Sequence, residues 1–401
     1  MNKEQKEKLI FMLKHLIMAV VVGIIVGAID ALFGRVLIFL STFRTKHYLY
    51  LIPFLPIAGL LITWMYYSFS KVSLKGMTLV FEAGQRKTDA IPIALIPLVV
   101  IGTWMTHLFG GSAGREGVAV QIGATLSHVI GRKMHFPENG RTMLIIGMAA
   151  GFGGLFQTPL AATFFAIEVI VAGRMDYEAL LPAMAASYIA AFTSHTLGLE
   201  KFIVPLAESF KLSGSKNIVG ILILGVLFGI VGHLFSFSLQ KTKKIMADKI
   251  ENPFVRIGII AIPLAILLIL FYGGRYSGLG TNLIANSFEN KSIYAYDWIL
   301  KLIFTIITLS IGFQGGEVTP LFSIGSSLGV VLGSLFGFSP MICAALGYVA
   351  VFGSATNTLI APMMIGLEVF GTENMVPFVI VCIIAYAVNG NQSIYGAQER
   401  F

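Results

Sequence analysis

Between Leu16 and Leu40 the only charged residues are Asp30 and Arg35, and Ile218 to Leu239 holds no acid or base except His233. Crossing the hydrocarbon core of a bilayer takes roughly 20 apolar residues of helix, with every backbone polar group satisfied inside the segment. Runs of this length predict membrane-spanning helices rather than a barrel. Composition agrees: 56% of the 401 residues are hydrophobic, 12% are charged and the mean hydropathy is +0.84, whereas a soluble domain carries about 25% charged residues. The chain reads as an all-α integral membrane protein.

The net charge of +8 does not indicate a nucleic-acid partner. The bases gather in two short hydrophilic clusters, Lys3 to Lys14 and Lys241 to Arg256, the pattern of cytoplasmic segments. They place the N-terminus and a 241–256 loop on the cytoplasmic side of the plasma membrane. The first apolar run is too long for a signal peptide and no small-residue cleavage site follows it. Cys343 and Cys382 lie in apolar segments and read as buried thiols. The seven histidines show no metal-ligand spacing and no phosphate-binding loop is present, so neither metal, nucleotide nor other cofactor is expected.

Taken in order, residues 1–15 suit a short interfacial helix. Long helices follow at about 16–42 and 50–68, the second bent by Pro53 and Pro56. Residues 70–89 are too polar to span but contain Met77, Leu79, Val80 and Phe81, which predicts a half-helix or re-entrant piece. Many later apolar pieces are also shorter than a bilayer. Broken helices at membrane depth are tolerated only around a cavity, so they point to a transporter or channel. The chain ends soon after Asn391, and no C-terminal soluble regulatory domain is expected.

An internal repeat organises these pieces. Phe152-Gly153, Thr158, Ala161 and Glu168-Val169 recur 200 residues later as Phe352-Gly353, Thr358, Ala361 and Glu368-Val369. Ile122-Gly123 with Leu126 recurs at 202 as Ile324-Gly325 with Leu328, and Gly114-Arg115-Glu116 faces Gly315-Gly316-Glu317 at 201. Duplication predicts two halves, 16–205 and 206–401, each carrying a glutamate-led helix start. Glu168 and Glu368, at matching repeat positions, read as structural, salt-bridged or hydrogen-bonded at a subunit or cytoplasmic boundary.

The stretch Gly110-Gly111-Ser112-Ala113-Gly114-Arg115-Glu116-Gly117 precedes an apolar run from Val118 to Ile130. The first amides of a helix lack intrahelical partners and carry the positive end of its dipole. Glycines beside them let an ion approach closely, which is an anion-site design. The same residues also fit a glycine-rich turn with its charge facing water, or Glu116 paired with Arg115.

Several motifs in order resolve that choice by resemblance. Gly114-Arg115-Glu116-Gly117, Phe156-Gln157-Thr158-Pro159-Leu160-Ala161 with Phe165 and Glu168, Gly316-Glu317-Val318-Thr319-Pro320 and Tyr395 resemble the CLC anion channels and proton-coupled antiporters. The resemblance implies two inverted-topology repeats with many short, tilted and re-entrant helices whose N-termini surround the anion. It also implies a homodimer with one pathway per subunit. The chain departs from the chloride-handling pattern at Val118 (proline in those members), at Gly76-Met77-Thr78-Leu79-Val80 (Gly-Ser-Gly-Ile-Pro) and at Gly316-Glu317-Val318-Thr319-Pro320 (Gly-x-Phe-x-Pro). Val169 stands where many exchangers carry a proton-accepting glutamate. These departures resemble the fluoride-exporting branch.

On that resemblance Glu116 is the gating glutamate: a carboxylate beside an anion site competes for it when ionised and leaves when protonated. Gly114, Arg115, Gly117 and Val318 are expected at the anion with Met77, and Thr319 and Tyr395 each bring a hydroxyl donor. A thioether is a poor ligand for a hard anion, so Met77 is expected to exclude larger ions or to fill space beside the site. Phe81 and Glu317 are expected along the pathway; Glu317 reads equally as a gate, a proton site or a helix cap. The function expected is secondary active export of fluoride in exchange for protons, not enzymatic turnover. A chloride channel or exchanger of the same fold is the alternative, and an intramembrane lipid-phosphate enzyme a distant third.

Overall fold

The computed structural model describes residues 3–136, 140–289 and 291–401. Lys3–Lys46 is one helix of 44 residues. Of the separate interfacial helix expected over 1–15, residues 1 and 2 lie outside the described residues and the rest forms the opening turns of this helix, because neither glycine nor proline interrupts the chain before Gly23. Pro53 and Pro56 act as expected: Tyr48–Leu51 gives way to a 3₁₀ turn, Ile52–Phe54, before Leu55–Phe69. The half-helix is Met77–Gly84, entered from Gly76 at φ 51°, and Leu95–Leu108 leads to the glycine stretch.

Glu116–Lys133 then pairs with Arg141–Phe156, followed by the short Pro159–Glu168 and by Leu180–Thr196. The second half begins with Ser215–Lys249, a helix of 35 residues. The basic loop expected over 241–256 is thus mostly helix, since no breaker precedes Pro253. The turn narrows to residues 250–252, where the Asn252 side chain accepts from the Phe254 N–H at 2.9 Å and caps Pro253–Leu270. Thr281–Phe288, a helix the sequence reading did not anticipate, precedes Asp297–Ile311. Val318–Phe336, Pro340–Thr356, Ile360–Phe370 and Met375–Val388 repeat the order of the first half. Among the described residues five stretches are long and apolar enough to cross a membrane, Val318–Phe336 among them although it is largely enclosed by protein. The protein is an all-α, multi-pass membrane protein.

Two contacts demonstrate the inverted repeat. In each half the glutamate-region helix meets its successor glycine against glycine: a Cβ on Gly123 would stand 2.1 Å from the Gly147 carbonyl oxygen, and one on Gly325 2.1 Å from that of Gly347. Only glycine permits backbones this close. Between the halves, Gly114 and Gly316 exchange both backbone hydrogen bonds as an antiparallel pair, at 2.5 and 2.8 Å. An antiparallel pair of this kind lies on a local two-fold, so Gly114 corresponds to Gly316 at an offset of 202.

That register corrects the sequence comparison, which matched Glu116 to Glu317 at 201. The helices begin at Glu116 and Val318, so the structural counterpart of Glu116 is Val318 and that of Arg115 is Glu317. The two glutamates are not equivalent.

Glu168 and Glu368 are hydrogen-bonded, but to helix starts within the chain. The Glu168 carboxylate accepts from the amides of Leu359, Ile360 and Ala361 at 3.4, 3.1 and 2.9 Å. Glu368 accepts from Leu160 and Ala161 at 3.0 and 2.8 Å. Each short helix thereby carries in its last turn the acid that satisfies the unpaired amides of its repeat-mate. Glu168→Ala should lower resistance to unfolding in detergent titrations by about 1–3 kcal/mol, the cost of stranding buried donors. Glu168→Gln, which keeps an acceptor, should lose less.

Candidate functional site

The paired strand at Gly114 and Gly316 leaves two helix N-termini beside each other at membrane depth. Glu116, the first residue of its helix, is 1% exposed. Its Oε2 accepts from the Thr319 backbone N–H at 3.1 Å, from the Thr319 hydroxyl at 2.5 Å and from its own neighbour, the Arg115 N–H, at 3.3 Å. Arg115 Nε lies 3.6 Å from Oε1. The carboxylate therefore occupies donors from the opposite repeat. The reading of Glu116 as merely water-facing does not hold, while its pairing with Arg115 coexists with the bonds to Thr319.

Two cavities reach residues next to this carboxylate. The first, about 480 Å³, is lined by Met77, Phe81, Gln121, Lys243, Glu317 and Tyr395, among others. The second, about 660 Å³, is lined by Arg115. Glu116 lines neither; its neighbour Arg115 lines the second, and Glu317, two residues before the Thr319 that binds it, lines the first. Thr319 and Val318 are buried, and Gly114 and Gly117 bring the backbones of the two repeats close: a Cβ on Gly117 would lie 3.6 Å from Gly316 Cα.

The end of the chain completes the first cavity. Tyr395 stacks near Phe81 with ring centroids 5.0 Å apart, and its buried hydroxyl has no hydrogen-bond partner. An unsatisfied buried donor at a cavity wall is a place for an acceptor from outside the protein. Residues 398–401 are held down by the Gln398 amide on the carbonyls of Val169 and Thr356 at 2.9 and 3.1 Å, and by pairing of Glu399–Arg400 with Val171–Ala172. Glu317 differs from Glu116 in its partner: Lys243 Nζ lies 3.6 Å from its Oε1.

Comparison with known proteins follows from this geometry. Residues 58–390 match the family model described as voltage gated chloride channel. The chain belongs to the CLC family. Among solved CLC structures, a CLC-type fluoride/proton antiporter aligns with a TM-score of 0.95 and 52% identity over 97% of this chain and 98% of that one. A slow cyanobacterial Cl⁻/H⁺ antiporter shares the CLC fold at a TM-score of 0.81 and 21% identity, over 95% of this chain and 96% of that one. Among curated proteins, a chloride/fluoride channel protein of Pseudomonas syringae pv. tomato is 34% identical over 99% of this chain and 88% of its own length.

Sequence reasoning missed residues that hold this CLC site in place. Lys301, fully buried on Asp297–Ile311, donates to Ser112 Oγ at 2.8 Å and to the carbonyls of Gly278 and Tyr276 at 2.6 and 3.2 Å. It ties the stretch before Glu116 to the turn at 276–280. The signal was present, since a lone lysine inside an apolar helix marks a functional or structural demand. Its three acceptors could not be read from the sequence. Lys301→Met should reduce stability by about 1–3 kcal/mol, because buried acceptors lose their donor. The same detergent unfolding titration checks it.

Proposed function

We propose that this chain exports fluoride in exchange for protons, with Glu116 as the group that both gates the anion and carries the proton. The observation that supports the reading is the buried Glu116 carboxylate held by the amide and hydroxyl of Thr319, with its neighbour Arg115 on the lining of one cavity and Glu317 on the lining of the other. A carboxylate and a small, strongly accepting anion compete for the same donors. Protonation removes the charge that those donors favour, and the side chain gives way. One group thus couples two ions without ATP. Hydrogen fluoride crosses membranes neutral and dissociates inside, so export driven by inward protons relieves the trapped anion.

In this reading fluoride meets Thr319 and Tyr395 as hydroxyl donors and the backbone around Gly114, Arg115, Gly117 and Val318 as amide donors. Met77 narrows the first cavity against larger anions. Phe81 and Glu317 line the approach, Glu317 held by Lys243. Because Val169 is buried and apolar, proton delivery from that side uses no carboxylate at this position. The protein acts as a homodimer in the plasma membrane with one pathway per subunit and its N-terminus in the cytoplasm.

Liposomes loaded with fluoride and recorded for fluoride and protons together test the proposal. Wild type should move protons inward as fluoride leaves; fluoride loss without proton movement would make the protein a channel. Glu116→Gln should abolish proton movement while the protein still folds, because an amide keeps hydrogen-bonding capacity but cannot take up and release a proton in this range. Retained fluoride-driven proton uptake would remove Glu116 from the mechanism. Met77→Ser should narrow the preference for fluoride over chloride, and an unchanged flux ratio would reduce Met77 to packing.

A further inference from the structure

We propose that the second cavity contains an anion site of its own, distinct from the donors that Glu116 occupies, and that it takes a halide ion. Arg44, Arg115, Lys201 and Arg275 line this space, and Glu200 is the only acid on the lining. Arg275 is already neutralised, since its Nε and Nη2 hold the Asp297 carboxylate at 3.0 and 2.6 Å. Arg44 is not. It is 7% exposed, its Nη1 donates to the His107 carbonyl at 3.0 Å, and no acid among the described residues pairs with it. Arg115 keeps Nε and Nη1 without a hydrogen-bond acceptor.

The turn at Gly278 concentrates this charge. Lys301 reaches its carbonyl from one side, while the Arg44 guanidinium lies so close on the other that a Cβ there would meet Nη1 at 2.3 Å. Gly278, at φ 64°, is the residue type that permits both. From the same turn the helix Thr281–Phe288 starts behind Gly280 with no side-chain cap, and Thr281 and Asn282 lie on the cavity lining. Ser277, also on the lining and 2% exposed, has a hydroxyl with no partner.

A nearly buried guanidinium without a counter-charge is costly, and a second buried cation behind the same turn adds to the cost. A bound anion offsets both. The uncapped amides of Thr281–Phe288 and the free hydroxyl provide the remaining donors such an ion requires. The choice of a halide rests on the proposed function: the cavity is lined by Arg115, next to Glu116, the residue proposed to gate the anion. The site depends on this geometry and not on which anion is exported.

Crystals of the full chain soaked in sodium bromide decide the matter by anomalous scattering. The expected result is a bromide peak within hydrogen-bond reach of the Arg44 guanidinium and the first amides of Thr281–Phe288. The peak should persist in Glu116→Gln, disappear in Arg44→Met and survive at reduced height in Arg44→Lys. Absence of a peak at that place in wild-type crystals overturns the proposal without recourse to any variant. An undiminished peak in Arg44→Met overturns it as well. Failure of fluoride/proton exchange in liposomes would leave the bromide result standing, so the two readings fall separately.

Discussion

Two backbone hydrogen bonds between Gly114 and Gly316 hold the centre of this protein together, and most of the surrounding architecture depends on that pairing. Helix starts within a membrane leave amides that neither lipid nor intrahelical carbonyls can satisfy. Pairing the two approaches places such ends side by side, where the donors of one repeat can serve a group carried by the other. Glu116 uses this arrangement, with its carboxylate on the amide and hydroxyl of Thr319. Glu168 and Glu368 show the same solution without transport: each acid satisfies the helix start of its repeat-mate and lies on neither cavity.

The central pairing requires support on both sides because it lacks side chains of its own. Glycine-to-glycine contacts at 123/147 and 325/347 allow each helix pair to close tightly behind it. Lys301 binds Ser112 to the 276–280 turn on one side, and the C-terminal segment brings Tyr395 against Phe81 on the other. This frame holds the donors around the Glu116 carboxylate in place. Preorganised donors of this kind bind an anion without first having to be assembled, which favours a small, hard ion.

Much of this was legible in the sequence, and for local reasons. Apolar run length identified the membrane helices, prolines at 53 and 56 marked the bend, and glycines before Glu116 marked a close backbone approach. The repeat was visible because duplication preserves spacing. Helix limits went astray where no residue signals a stop, at 15 and across 241–249, where the helix continues because nothing breaks it.

Tertiary structure alone decided which residues share a place. Sequence spacing set Glu116 opposite Glu317, yet the pairing of Gly114 with Gly316 shifts the register by one and sets Glu116 opposite Val318. The acceptors of Lys301, the bond from Arg44 to the His107 carbonyl and the lodging of Gln398 on the Val169 carbonyl join residues up to hundreds of positions apart. Runs, breakers and caps act on neighbours along the chain, so a sequence displays them directly. The partners of a buried charge depend on how whole helices dock, and only the folded chain specifies that.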